Sequence, residues 1–392
     1  MTSGQGYAAP GWEDVAAAVG RDESGTELGG FSLAVRHRGE LVVDVWGGAD
    51  PVSGRPWEQD SVTTIFSCTK AVTSVVMLRL VDQGLLELDA PVARYWPEFA
   101  AAGKSAITVR QVMSHMAGLT FVGTQDLAVL YAPEAVAIRL AAATPLHRAG
   151  RHWIYHALTV GYLCAEIARR VTGASIGDLL RQQVCGPRGL DLWIGLPESE
   201  DHRFRPSHLL APPDLSMLEV TWDEPLVAAA AQTSREVLGL FVPGYAPGAP
   251  DNRAPMQTRA FRATEMPAAN GIANARGLAD LYAALIDKDD PLVTPRLLAD
   301  ARVCRTDDAL PTPYDPLVHR YGTGVDLANP NNPMLGDGCF GHTGAGGRVG
   351  FAWPEQELSL GYVSTTMGAG EPDPRWAPVY AAVGDAVRQV SP

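Results

Sequence analysis

Lysine is scarce in this chain. Of 31 basic residues only three are lysine, Lys70, Lys104 and Lys288, and the other 28 are arginine. Where a surface cation suffices, the chain mostly uses arginine. A lysine inside an apolar stretch therefore asks for a reason, because lysine can lose its proton when buried and arginine cannot. Long hydrophobic runs are also missing. No apolar stretch approaches the roughly 18 residues that a membrane-spanning helix needs. The first twenty residues show no cationic segment followed by an apolar one, so no secretory signal is expected and a cytoplasmic location is. Cysteine is sparse: Cys68, Cys164, Cys185, Cys304 and Cys339 are odd in number, widely spaced and contain no C-x-x-C pair. That pattern supports neither a zinc site nor a disulfide framework, and it predicts buried free thiols. Positive charge is in deficit, with 31 Lys and Arg against 44 Asp and Glu and a net charge of −13. Such a balance argues against nucleic acid as a partner.

Several motifs are absent as well. There is no H-E-x-x-H and no G-x-x-x-x-G-K-[ST] phosphate loop. His152 and His156 lie four apart, but nothing around them completes a metal-ligand set. Neither a metal nor a cofactor is expected.

What is present is an ordinary globular composition, 46% hydrophobic and 19% charged over 392 residues. That length suits one large or two interleaved domains. A short amphipathic stretch at Trp12–Val19 precedes a hairpin, in which Phe31–His37 and Leu41–Trp46 alternate around an Arg38-Gly39 turn. Thr63–Phe66 is extended. From Ser67 to Gly84 the apolar residues Ala71, Val75, Leu78 and Val81 take helical spacing, with Gly84 as the stop. A short helix opens near Leu88 and ends before Pro97. Thr108 caps a helix that Gly118 stops. Pro133–Ala143 and Leu158–Gly173 are further helices. The Pro-rich stretches 206–213 and 243–255 read as surface excursions. Strands return at Tyr321–Leu327, Arg348–Trp353 and Leu358–Ser364, and Trp376–Val390 closes the chain as a helix. The expected architecture is α/β (α+β): an antiparallel sheet flanked by helices and built from both termini, residues 1–75 and 291–392. A mainly helical domain with long loops, residues 76–290, is inserted between them, and the active-site cleft lies between the two.

Three short segments carry chemistry. In Ser67-Cys68-Thr69-Lys70 the serine and lysine are neighbours on a helix. A first-turn serine also offers a free backbone N–H to a developing oxyanion. Lys70 stands in an apolar wall between Phe66 and Val75-Val76, where desolvation lowers a lysine pKa toward neutrality. The competing view is that Ser67 is only a helix cap and Lys70 a solvated side chain. The second segment is Trp153-Ile154-Tyr155-His156-Ala157, which presents a tyrosine where a loop meets a helix. On its own Tyr155 is equally a core or rim aromatic. The third is Gly341-His342-Thr343-Gly344-Ala345-Gly346-Gly347, between candidate strands. Its glycines allow a substrate to approach the backbone closely, although a flexible turn reads the same way.

In order and spacing these segments resemble the serine β-lactamase and penicillin-binding-protein superfamily, whose S-x-x-K, Tyr-x-Asn and K-T-G motifs line one cleft. The likeness extends through Val81-Asp82-Gln83-Gly84-Leu85-Leu86-Glu87-Leu88-Asp89-Ala90-Pro91-Val92 and Gln111-Val112-Met113-Ser114-His115-Met116-Ala117-Gly118-Leu119, and so over nearly the whole chain. It implies a β-lactamase-like fold. It implies Ser67 as nucleophile, with Lys70 as base for acylation, unless Tyr155 takes that role. It implies Tyr155 as the proton carrier to the leaving alcohol, and the backbone N–H groups of Ser67 and Ala345 as oxyanion hole. His342, Thr343 and Gly344 would then line the substrate site, with Trp153 and Phe121 as apolar wall. Two positions depart from the pattern. Ala157 replaces an asparagine that bonds an acylamino group, and His342 replaces a lysine that helps bind a carboxylate. Both changes favour the esterases of the superfamily, the family VIII carboxylesterases, acting on a small-molecule ester without a membrane or nucleic-acid partner. An amidase, peptidase, β-lactamase or acyltransferase on the same three residues is the alternative. A non-enzymatic descendant of the fold is a third, against which the joint presence of Ser67, Lys70 and Tyr155 argues.

Overall fold

A computed structural model describes residues 4–19, 29–210, 225–250, 252–310, 319–329, 332, 334–368, 373 and 375–390. The alternating segments near both termini form one antiparallel sheet. Its strands are β1 (Gln5–Ala8), β2 (Phe31–His37), β3 (Glu40–Gly47), β8 (Asp326–Leu327), β9 (Phe340–Gly344), β10 (Arg348–Trp353) and β11 (Leu358–Ser364), in the order β1-β3-β2-β11-β10-β9-β8. The N-terminal hairpin joins the C-terminal strands along β2 and β11, where Val35 lies opposite Leu360. The turn between β2 and β3 holds Arg38 at φ 52° and Gly39 at φ 82°. Two left-handed residues in succession match the twist of a tight hairpin.

One face of this sheet carries the helices Glu13–Ala18 and Trp376–Val390. Their Val15, Trp376, Val379 and Val383 pack with Leu33, Val35, Val349, Phe351 and Leu360. The other face receives the helix Ala275–Ile286, which packs on β2, β10 and β11. A side chain at Gly361 would collide with the carbonyl of Ala275, so glycine there lets helix and sheet approach closely. Residues 275–286 were expected with the helical middle of the chain; their apolar face is instead buried on the sheet.

The middle of the chain is not purely helical. β4 (Thr63–Phe66), β5 (Leu192–Trp193) and β7 (Gly271–Ala273) form a second antiparallel sheet in the order β4-β7-β5. β6 (His208–Leu209) pairs in parallel with β12 (Thr366–Met367). The helix Cys68–Asp82 runs through the large core and buries residues on every side, including Cys68, Thr69, Lys70, Thr73 and Ser74 as well as the expected apolar stripe. The helices Pro133–Ala142 and Thr159–Thr172 fall where their patterns placed them.

Four boundaries differ from expectation. The helix near Leu88 is a short 3-10 turn at Val92–Arg94, followed by another from Pro97. The helix capped by Thr108 ends at Met113, well before Gly118, because His115 adopts φ 59°. The strand expected over 321–327 is only Asp326–Leu327, since the chain turns at Gly324, φ 79°, with Gly322 N–H bonded to the Val325 carbonyl. The glycine-rich segment is not all turn: Phe340–Gly344 is a strand and only 345–347 turn. Of the Pro-rich stretches, residues 211–213 and 251 lie outside the described residues.

Candidate active site

The backbone sets Ser67 apart before its side chain is considered. Phe66, the last residue of β4, has φ 45° although it is neither glycine nor asparagine. Such a conformation costs about 1–3 kcal/mol and persists where the surroundings impose it. Packing imposes it here: the Phe66 ring is 4% exposed and lies 5.3 Å from the ring of Phe241. The bend delivers Ser67 to the first turn of the helix Cys68–Asp82. The Ser67 side chain makes no capping bond to that helix. Its Oγ lies 3.1 Å from Lys70 Nζ instead.

Lys70 is 3% exposed, and its Nζ also donates to the Ala268 carbonyl at 2.9 Å. Burial pushes its pKa from 10.5 down to about 7. The view of a capping serine beside a solvated lysine therefore fails on both counts. Near neutral pH a large share of Lys70 is a free amine, able to accept the serine proton.

The segment that grips Lys70 carries no motif, and the sequence reading did not single it out. Ala268 offers only a backbone carbonyl, which any residue has. The segment is fixed by Asn270, whose Nδ2 donates to the Phe261 and Thr264 carbonyls, each at 2.6 Å, while its Oδ1 accepts from Met266 N–H at 2.8 Å. Two threonines flanking Lys70 tie the helix to it: Thr69 Oγ1 accepts from Gly271 N–H at 2.8 Å, and Thr73 Oγ1 donates to the Pro267 carbonyl at 2.5 Å. Gly161 allows the approach from below, because a Cβ there would stand 2.5 Å from Ala268 N.

Tyr155 closes one side. Its ring face lies 4.7 Å from Lys70 Nζ. Behind it stands an aromatic wall that the sequence showed only in part. His115 stacks on Tyr155 at 4.9 Å between centroids, and Tyr321 meets His115 edge-on at 4.7 Å. Trp153 stacks on His319 at 4.8 Å and is 7% exposed, so it supports Tyr155 from behind rather than forming an open wall. Phe121 is half-buried and takes part in no ring contact among the described residues. The backbone after it is held by the buried Glu236 carboxylate, which accepts from Val122, Gly123 and Thr124 N–H.

Three imidazoles here, those of His115, His156 and His342, are neutral near pH 7. His156 Nδ1 donates to the Ile154 carbonyl at 2.6 Å and its Nε2 accepts from Leu119 N–H at 3.1 Å, so both nitrogens hold backbone. Burial takes its pKa down to about 3. His342 donates from Nδ1 to the Thr343 carbonyl at 2.6 Å, which leaves Nε2 an unpaired acceptor. Burial pushes His342 down to about 4, and His115 is lowered for the same reason. Ala157, partly exposed, adds no polar group. Among the described residues no group of three or more His, Cys, Asp or Glu side chains could hold a metal ion.

The third segment lies against the first. Cys68 Sγ donates to the His342 carbonyl at 3.2 Å. Gly344 packs so tightly on the Ile65 carbonyl that a side chain there would collide with it. The helix start at Ser67 and the turn at Ala345 are thereby held side by side. Thr343 continues the β9–β10 ladder opposite Val349. The turn is gripped from behind by Arg348, a residue read from sequence only as the start of a strand. The structure brings Ser67, Lys70, Tyr155 and the His342–Ala345 segment together in one site.

This fold and this site define a serine hydrolase. The profile of the family described as Beta-lactamase matches residues 15–385, and the chain belongs to that family. "Esterase/beta-lactamase LipL" of Mycobacterium tuberculosis (strain ATCC 25618 / H37Rv) is 36% identical over 376 residues, 92% of this chain and 83% of that protein. A solved family VIII carboxylesterase superposes with a TM-score of 0.82 at 32% identity, covering 98% of this chain and 99% of its own. A penicillin-binding-protein homologue from Caulobacter crescentus gives the same TM-score, 0.82, at 36% identity, covering 98% of this chain and 99% of its own.

Proposed function

We propose that the protein is a serine carboxylesterase, hydrolysing short-to-medium acyl esters through a covalent acyl-enzyme on Ser67. The observation that carries this reading is the buried Lys70 amine 3.1 Å from Ser67 Oγ, with its pKa brought to about 7. Ser67 Oγ attacks the ester carbonyl carbon and gives its proton to Lys70 Nζ. The tetrahedral oxyanion lies on the backbone N–H groups of Ser67 and Ala345. The carbon–oxygen bond to the alcohol breaks, and the proton travels from Lys70 through Tyr155 to the departing alkoxide. Water then attacks the acyl-enzyme, with the same pair removing its proton and returning it to Ser67.

The substrate class rests on what surrounds Ser67. A neutral His342 and an apolar Ala157 offer neither a cation for a carboxylate nor an amide for an acylamino group. The site favours uncharged esters over β-lactams. The solved family VIII carboxylesterase supports the same choice, while the name "Esterase/beta-lactamase LipL" carries both activities. In this reading the cleft runs between the sheet part and the helical part of the chain, and its His342, Thr343 and Gly344 side contacts the ester. A cytoplasmic setting suits Cys68, Cys164, Cys185, Cys304 and Cys339, which are all free. No helix among the described residues is long and apolar enough to cross a membrane.

Incubation with p-nitrophenyl butyrate is expected to leave one butyryl group on the peptide that contains Ser67, detected by mass spectrometry after acid quench. A chromogenic cephalosporin is expected to turn over at a small fraction of the ester rate. Fast lactam cleavage would show that Ala157 and His342 do not set the selectivity.

The pH profile follows from Lys70. Its neutral form is the active one, so kcat/KM for the ester rises with pH and its acidic limb has a midpoint near the amine's pKa of about 7. His342, lowered to about 4, has already lost its proton in that window. A rate that stays level from about pH 5 to 8 would contradict Lys70 as base.

A further inference from the structure

Arg348 is fully buried, yet among the described residues no carboxylate touches its guanidinium. Nη1 donates to the carbonyls of Ala345 at 3.2 Å, Gly346 at 3.0 Å and Thr366 at 3.3 Å. Nη2 donates to Ser207 Oγ at 2.7 Å and to the Ser364 carbonyl. Nε has no partner. The guanidinium carbon lies 5.1 Å from the centre of the Phe66 ring. It therefore touches the strained residue before Ser67 and, at the same time, the turn that begins with Ala345. A second guanidinium braces that turn: Arg375 Nη2 donates to the Gly346 carbonyl at 2.6 Å while pairing with Asp373. Arg375 is paired with Asp373, whereas Arg348 has no ion-pair partner of its own among the described residues.

We propose that Arg348 is a positioning residue for acyl transfer: it fixes the distance between the backbone N–H groups of Ser67 and Ala345 and sets a buried positive charge behind them. This rests on reading those two groups as the oxyanion hole. Burial lowers the Arg348 pKa to about 9, which leaves it cationic at neutral pH. A purely structural role is a poor reason for such a group, because apolar packing in its place is often neutral or stabilising. Negative charge develops on the substrate next to this cation only during the reaction. A fixed cation there favours the transition state over the bound ester.

Arg348→Met removes the charge, and Arg348→Lys keeps it but loses the fork that spans several carbonyls. Both are compared with wild type in kcat and KM for p-nitrophenyl butyrate, per active site titrated with a fluorophosphonate. The affinity of an alkyl boronic acid, which mimics the tetrahedral intermediate, is measured alongside. Arg348→Met is expected to lower kcat about 100-fold and Arg348→Lys about tenfold, with KM within about twofold and boronate affinity falling in step with kcat. A kcat per titrated site within about threefold of wild type, or a change confined to KM, would overturn the proposal. If neither variant folds, Ser207→Ala and Arg375→Lys loosen the same clamp from its two ends. A several-fold parallel loss of kcat and boronate affinity then supports it, and unchanged values overturn it. Fluorophosphonate labelling of a residue other than Ser67 in the wild type would overturn the underlying reading of the site. Labelling of Ser67 with unaltered kcat in the variants would overturn the role of Arg348 alone.

Discussion

Lys70→Met is expected to abolish ester hydrolysis while making the protein more stable. The activity loss is the larger effect, about 1,000- to 10,000-fold in kcat, because the base for acylation is gone and a thioether accepts no proton. The stability gain follows from the same burial. The Lys70 pKa is about 7 in the folded chain against 10.5 in the free side chain, so folding disfavours its charged form. A depression of that size corresponds to roughly 5 kcal/mol below pH 7. Methionine fills similar space without a charge, but it leaves the Ala268 carbonyl without its donor, which returns about 1–2 kcal/mol. A net gain of about 3 kcal/mol remains below pH 7. The sign sets its pH dependence. Between pH 7 and 10.5 the unfolded chain binds the proton that the folded chain has shed, so wild-type stability rises across that interval. The advantage of the variant is therefore greatest below about pH 7 and fades toward pH 10. Urea unfolding at two pH values, paired with ester kinetics, measures both effects. A variant less stable than wild type at pH 6 would mean that Lys70 is held by attraction rather than merely desolvated.

Ser67→Ala is expected to reduce ester hydrolysis at least 10,000-fold at unchanged folding stability. The two halves of that statement have separate causes. In the proposed reaction this oxygen is the nucleophile, and it lies 3.1 Å from the Lys70 amine. The hydroxyl also makes no capping bond to its helix, so the fold does not depend on it. Its removal costs Lys70 one hydrogen bond, while the Ala268 carbonyl still accepts from the amine. Steady-state hydrolysis and thermal unfolding of the same preparation check both halves. Ester cleavage that survives the substitution rules out Ser67 as nucleophile. Lost activity accompanied by a large fall in stability would mean that the hydroxyl does structural work the hydrogen bonds do not show.

The two largest effects concern residues that sequence alone marked, and the reason is compositional as much as positional. With only three lysines in 392 residues, Lys70 among apolar neighbours stood out, three positions after a serine at a helix start. Tyr155 and the His342–Gly344 strand were legible through their order along the chain. The alternation of β2, β3, β10 and β11 also fixed a sheet from both termini, because side chains on a strand must answer to two faces. Where pattern spoke less clearly it misled. Tyr321–Leu327 reads as a strand by its residues, but Gly324 at φ 79° turns it, and Tyr321 joins the aromatic wall.

The sequence by itself therefore determined the fold class, and it marked the groups proposed to react and the apolar side chain at Ala157, since each follows from local spacing or from a side chain's own chemistry. Tertiary structure alone decided what holds those groups ready. The Ala268 carbonyl reaches Lys70 from 198 positions away, and it is a backbone atom with no residue signature. Arg348 spaced along a strand looks like any edge cation; only folding buries it against Phe66 and the Ala345 turn. The lowered pKa of Lys70 was an expectation from its apolar neighbours, but its extent, like that of His342, came only with folding, because desolvation is a property of everything packed around a group rather than of the group itself.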